Sequence, residues 1–218
     1  HPEQEAQIKA DFLQKLNQGE SLVNGDYACI DLTGENLTGV DLSGCYLEGV
    51  NFTDCDLTKA NLTGAILAGA NLTNAVLHQT NCQGANIGAS DLTNADFSEA
   101  NLDKAQLGGA NYTRTKFIRC LMKELNYLDS TFEETVFDGS TMKQSNFINP
   151  VFNNCSFIGS DLSQVNMVKP ILVQANFSQA TVDGANFVEA QANDSNFSQA
   201  QMINSRFVGG CQLTNSNF

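Results

Sequence analysis

Tyr27, Leu32, Leu37, Leu42, Leu47, Phe52, Leu57, Leu62, Leu67, Leu72 and Leu77 stand five residues apart, and the beat runs on without a skip to Phe207. All 37 positions are apolar when Cys82 and Ala192 are counted as small hydrophobes. Two residues before most of them sits a small residue, as at Ala60, Ala65, Ala70, Ala75, Thr80 and Ala85. A helix repeats its face every 3.6 residues and a strand every 2, so neither fits a sustained step of five. A repeat this strict marks a stacked architecture.

Two inward positions per five residues suit a chain that turns a corner every five. One is large (the centre) and one, two residues earlier, is small. Four such sides make a square coil of 20 residues, and coils stack at the spacing of hydrogen-bonded strands, about 4.8 Å. The large residue fills the square. The small one lets the chain turn close to the axis, where bulk would overpack.

The runs Ala60-Asn61-Leu62-Thr63-Gly64, Ala70-Asn71-Leu72-Thr73-Asn74 and Ala185-Asn186-Phe187 resemble the repeating unit of pentapeptide repeat proteins. The resemblance covers about residues 22–218. It implies an all-β fold, a right-handed quadrilateral parallel β-helix. Nine to ten coils give a rod of about 45 Å. Ile30, Glu35 and Leu125 are large for the small position, so local widening is expected there. Pro150 and Pro170 share one corner, where a missing N–H is tolerable. Phe207 to Leu213 is one residue too long, so Gly209 or Gly210 is expected to bulge.

Residues 3–18 read as a helix with Ile8, Phe12, Leu13 and Leu16 on one face, ended by Gly19. A solenoid end exposes core and unpaired strand edge. Residues 1–21 are therefore expected to form an N-terminal α-helical cap and residues 22–218 the β-helix. The C-terminus ends on the repeat at Leu213 and Phe218, with no capping helix visible. The expectations there are a bulged coil that caps itself, a trimmed end, or two copies meeting end to end. The chain opens on His1 rather than Met, which reads as a processed or tagged start, and no signal peptide is visible. No run of 18 apolar residues offers a membrane span.

The net charge is −13 at pH 7. Residues 22–59 carry seven acids and one base, and residues 60–90 carry no charge apart from His78. Lys104, Arg114, Lys116, Arg119 and Lys123 resemble a nucleic-acid patch until they are phased. Glu99 lies one coil from Arg119, Glu124 from Lys104 and Glu134 from Arg114, so ion pairs between adjacent coils are expected, with no direct nucleic-acid binding. Of the cysteines, Cys45, Cys55, Cys120, Cys155 and Cys211 take the small inward position, Cys82 a centre, and Cys29 alone points outward. Their spacing offers no zinc pair and no stacked disulfide. They read as buried small hydrophobes, and free thiols favour a reducing compartment, the cytoplasm over the periplasm or a thylakoid lumen.

On one side the residue just after the centre reads Leu128, Ile148, Val168, Val188 and Val208, five apolar residues stacked outward. Strand propensity alone can place β-branched residues there. A contiguous apolar stripe also marks an interface, and this side is the predicted docking surface for a protein partner or a second copy. His78 is outward, no histidine-supported nucleophile is apparent, and no pocket, cofactor motif or metal set is evident. Triplets such as Asn61-Leu62-Thr63 match a glycosylation sequon, but the repeat generates them. The reading is therefore non-enzymatic, without cofactor or metal. The first functional class is a structural or protein-interaction scaffold. The second follows from the resemblance: some pentapeptide repeat proteins look like DNA and bind type II topoisomerases such as DNA gyrase, giving quinolone resistance. The acidic sign fits. The magnitude fits poorly, because duplex DNA of this length carries about 26 charges and residues 22–218 carry a net −11.

Overall fold

The structure, a computed structural model, describes residues 1–218. Helix α1 (Pro2–Gln18) opens with a proline in its first turn, beside Glu3 and Glu5, where a missing N–H costs nothing and carboxylates complement the dipole. It stops at Gly19, whose φ of 68° closes the last turn. Its apolar face lies on the first coil. Phe12 is fully buried, and its ring meets Tyr27 edge-on with centroids 4.9 Å apart. Ile8, Leu13 and Leu16 pack partly buried around it.

From Asp26 onward the chain winds into stacked four-sided coils. The bridges are parallel and, up to the last coil, join residues 20 apart, as in Asn61↔Asn81 and Asn81↔Asn101. The ladder has a fixed pattern. The centre N–H donates to the carbonyl 19 residues on (Leu62 to Asn81, 2.7 Å), and the coil above returns a bond (Asn81 N–H to Ala60 O, 3.1 Å). At the usual corner the N–H of the next small residue closes a β-turn onto the centre carbonyl, as Ala65 does onto Leu62 at 3.0 Å. The residue before it then takes positive φ, 64° at Gly64 and 59° at Asn74, which explains the glycines and asparagines at that place. The fold is the right-handed quadrilateral β-helix expected from the repeat.

Some corners are built otherwise. At β1 (Asn126–Leu128), β3 (Asn146–Ile148), β5 (Asn166–Val168), β6 (Asn186–Val188) and β7 (Arg206–Val208) the extended chain runs one residue further, and the turn bond onto the centre carbonyl is missing. These strands form one five-stranded parallel sheet in the order β1-β3-β5-β6-β7; β2 (Thr131–Glu133) and β4 (Val151–Asn153) pair on the next side. Pro150 and Pro170 follow β3 and β5, at the position whose N–H no turn bond uses, so proline loses nothing there.

The centres form one continuous core along the axis. One side stacks Phe97, Phe117, Phe137, Phe157, Phe177 and Phe197, with centroids 4.6–5.4 Å apart and planes within 21° of parallel. The coil spacing itself sets this offset-stacked geometry. At the small position, Cys, Ser and Thr do more than fill space. Cys55 Sγ donates to Leu32 O (2.8 Å), Ser90 Oγ to Leu67 O (2.9 Å) and Thr115 Oγ1 to Leu92 O (2.8 Å), each binding a centre carbonyl of the coil before.

Widening occurs at one of the three expected places. The ladder is intact around Ile30 and Glu35, where Leu32 N–H reaches Asn51 O at 2.8 Å and Leu37 N–H reaches Asp56 O at 2.8 Å. At Leu125 the ladder opens. Leu102 N–H still reaches Leu121 O and Arg114 N–H reaches Glu133 O, both at 2.8 Å, but the backbone bonds that would join residues 104–112 to 123–131 are missing. In this seam the Tyr112 hydroxyl donates to Leu107 O in place of a backbone N–H, and the buried Tyr127 hydroxyl has no partner. Near the C-terminus Gly209 and Gly210 both have positive φ, and the register shifts from 20 to 21 residues (Gln191↔Gln212), which is the expected bulge. No helix is long and apolar enough to cross a membrane.

Truncating Phe137 to Ala removes a ring stacked on both sides. The expected loss is about 3–5 kcal/mol in denaturant unfolding, and a loss below about 1 kcal/mol would place the ring outside the core.

Candidate interaction face and the polar walls

The outward residues are held by a capping chemistry that accounts for the repeat's polar letters. The N–H of the residue after each centre points away from the ladder and needs an acceptor. Asn61 Oδ1 accepts both the N–H (3.0 Å) and the hydroxyl (2.6 Å) of Thr63, and Asn51, Asn71 and Asp91 do the same for Thr53, Thr73 and Thr93. At some places the residue before the centre does not accept this N–H, and a carboxylate one coil earlier does. Asp103 takes the N–H of Lys123, Asp138 that of Ile158 and Asp183 that of Ile203, at 2.8–3.0 Å. The Asn-x-Thr triplets are thus corner caps.

The predicted stripe lies on the five-stranded sheet. Its register sets Leu128 beside Ile148, then Val168, Val188 and Val208. Leu128 is 63% exposed, Ile148 and Val208 are 44% exposed, and Val168 and Val188 are half-buried. Here the asparagine before the centre does not cap. Asn146 Nδ2 donates instead to Asn126 Oδ1 at 3.0 Å, one coil away, leaving the backbone free to stay extended. The same wall, followed toward the N-terminus past the seam, is nearly bare: Ala68-Gly69, Gly88-Ala89 and Gly108-Gly109 occupy the matching places. Sequence reasoning missed this recess, although sorting the outward residues into four sides would have found it.

The charges pair differently from expectation. Arg119 meets Glu99 at 2.8 Å as predicted. The Lys104–Glu124 and Arg114–Glu134 pairs do not form. Lys123 lies 3.7 Å from Asp103 instead. Arg114 Nε donates to Asn94 (2.9 Å), Asn94 to Asn74 (3.2 Å) and Asn74 to Asp54 (3.1 Å), a hydrogen-bonded chain from a cation to an anion across four coils. An amide that both donates and accepts continues the ladder, which a like-charged neighbour cannot do.

His78, Asp96, Ser98, Glu99 and Arg119 surround a shallow polar notch of about 360 Å³. His78 Nε2 lies 2.8 Å from Asp96 Oδ2, while Ser98 Oγ donates to Asp96 Oδ1 at 2.5 Å. The serine is tied to the carboxylate and not to the imidazole, so the geometry is that of a capped corner rather than a nucleophile with its base. Burial works against ionisation of Asp96, but the hydrogen bonds from Ser98 and His78 outweigh it and hold its carboxyl below the ordinary range. No three His, Cys, Asp or Glu side chains come together as a metal-ligand set. Burial pushes the Cys55 thiol up to about 11 and those of Cys82, Cys120 and Cys155 up to about 12, so these stay protonated and inert.

The family model for pentapeptide repeats matches in several stretches, residues 24–54, 36–74, 55–94, 80–117, 129–167 and 171–209. The chain belongs to the pentapeptide repeat family. Among solved structures it is similar to HetL, a pentapeptide repeat protein involved in heterocyst differentiation regulation from the cyanobacterium Nostoc sp. strain PCC 7120, at 21% identity over 90% of this chain and 93% of that one, with a TM-score of 0.41. It is also similar to QnrB1, a plasmid-mediated fluoroquinolone resistance protein, at 17% identity over 86% and 84% of the two chains, with a TM-score of 0.44. A third likeness is to a pentapeptide repeat protein of the Arabidopsis thaliana thylakoid lumen, at 28% identity over 44% of this chain and 68% of that one, with a TM-score of 0.44. At these scores the likenesses carry nothing about partners. No curated protein matches the chain significantly.

Two measurements follow from the walls. A thiol reagent at pH 8 is expected to label exposed Cys29 fast and half-buried Cys211 more slowly, with the other five reacting only on unfolding; fast labelling of Cys82 would contradict the inward assignment. Asp31, Asp56, Asp96 and Asp161 all have lowered pKa values in the fold. A depressed carboxylate stabilises above its unfolded pKa, and that stability is lost as pH falls through the folded value. Melting temperature is thus expected to hold between pH 6 and 8 and to drop below about pH 4, with Asp96→Asn losing less between pH 5 and 3 than the parent. An equal loss in both would remove Asp96 from the effect.

Proposed function

We propose that this protein is a non-enzymatic structural and protein-interaction scaffold. Residues 22–218 serve as a rigid rod, residues 1–21 as its N-terminal cap, and the wall bearing Leu128, Ile148, Val168, Val188 and Val208 as the docking surface. The observation that carries the reading is the five-stranded sheet that holds these five apolar side chains outward in register over about 20 Å. A protein gains nothing in its own core from such a stripe, and contiguous exposed apolar surface is the usual mark of a contact site. In the polar notch beside His78 the serine and the imidazole are both tied to Asp96, which supports a structural rather than a catalytic role there.

The alternative of a DNA mimic that binds a type II topoisomerase has the sign of the charge in its favour. Against it, residues 60–90 form a neutral belt, and the stripe interrupts any continuous acidic field.

The test is the double variant Ile148→Lys with Val188→Lys. Both side chains point outward, so thermal unfolding is expected to stay within about 0.5 kcal/mol of the parent, while association of the purified protein with itself or with a protein captured from its host is abolished. Association identical in parent and variant would retire the docking wall. Inhibition of gyrase supercoiling at low micromolar protein, retained in the variant, would favour mimicry instead.

A further inference from the structure

We propose that the occupant of the docking wall is a second copy of this chain, packed face to face and antiparallel about a two-fold axis that passes between the rungs of Leu107 and Tyr127. This rests on the docking reading above and names its partner. The wall is divided at the seam into an apolar ridge and a recess that is bare from Gly108 back to Ala68, with Tyr46 and Glu48 standing beyond it. A two-fold axis lying along the strand direction at the seam keeps each column of outward residues opposite itself and reverses the order of rungs. Leu128 of one copy then falls over Gly108 of the other, Ile148 over Gly88 and Val168 over Ala68. Beyond these, Val188 meets the aliphatic stem of Glu48 and Val208 meets Ala28.

The neighbouring columns obey the same pairing. In the corner column Lys169 faces Gly69 and Asn149 faces Ala89, again a long side chain over a short one. In the column before the centres, Asp26 faces Arg206, both exposed and opposite in charge, and symmetry makes this pair twice. Nearest the axis, Gln106 faces Asn126. These amides lie where the ladder of each copy is open, and they can donate and accept where backbone groups of the seam lack partners. Ridge on recess, cation on anion and amide on open backbone all arise from one symmetry operation, which is what an isologous interface requires.

Sedimentation of the purified protein at tens of micromolar is expected to give twice the 23.5 kDa chain mass. Ala68→Lys adds a charge in the recess, far from the stripe, and is expected to weaken dimerisation at least about tenfold by burying an unpaired ammonium. Asp26→Lys and Arg206→Glu are each expected to weaken it roughly two- to tenfold, a surface ion pair counted twice, and the double variant to restore it. Asp26 and Arg206 of one chain lie nine rungs, about 43 Å, apart, so rescue can come only from contact between copies. A dimer indifferent to Ala68→Lys and to both charge reversals overturns this arrangement. A monomer at every concentration overturns it too, and if Ile148→Lys with Val188→Lys then abolishes capture of another protein, the docking wall stands with a different occupant. A stripe variant without effect on any association sinks both readings.

Discussion

The structure depends on stacking at a spacing set by the backbone. Outside the seam and up to the C-terminal bulge, each centre N–H finds a carbonyl 19 residues ahead, and this hydrogen bond repeats from coil to coil. Once coils are spaced by strand hydrogen bonding, whatever occupies a centre meets its equivalent one coil away. Leucine on leucine dominates the first half of the rod, and in the second one side stacks phenylalanine on phenylalanine, with rings brought to nearly parallel at 4.6–5.4 Å. Stability is then close to a sum of neighbouring coil terms, with no long-range tertiary packing to hold a distant segment in place.

The same constraint governs the surface. Because each outward residue has its equivalent 20 residues away, side chains form columns, and the physical question at each is what its neighbours above and below can offer. Asparagine wins many places because it caps its own corner, as Asn61 does, or links coils, as Asn126 and Asn146 do. The choice between those two roles tracks the wall's geometry. Where asparagine caps, the chain turns tightly. Where it links to the next coil, the strand runs on and the following residue stands out from the sheet. The exposed stripe is thus a consequence of corner chemistry as well as of the identity of Leu128 or Ile148.

Much of this was legible in the residues. The step of five sorted inward from outward positions, and Phe137, Leu62 and Cys82 lie inside as that step requires. The helix, the stop at Gly19, the glycine bulge and the harmless prolines followed from local rules. Three features did not. The ladder opens at Leu125 but not at Ile30 or Glu35, because the position of a large residue in the sequence does not say whether the coil beside it can shift. Arg114 chose Asn94 over Glu134, because coil stacking offers two neighbours and the sequence does not rank them. The thiols and hydroxyls of Cys55, Ser90 and Thr115 bind carbonyls of the coil before, a role hidden by their being small. The wall itself was visible only in part, since its apolar half announces itself and its bare half does not.

Amide hydrogen exchange, resolved residue by residue in the folded protein, tests the stacking most directly. Four of the five N–H groups in an ordinary repeat, such as those of Asn61, Leu62, Gly64 and Ala65, bond to backbone carbonyls, so protection is expected to dip at every fifth residue, the one after each centre, with a wider gap at Leu107 and Asn126 where the seam opens. Protection without a five-residue period, or as strong at Leu107 as at Leu102, would contradict this structure.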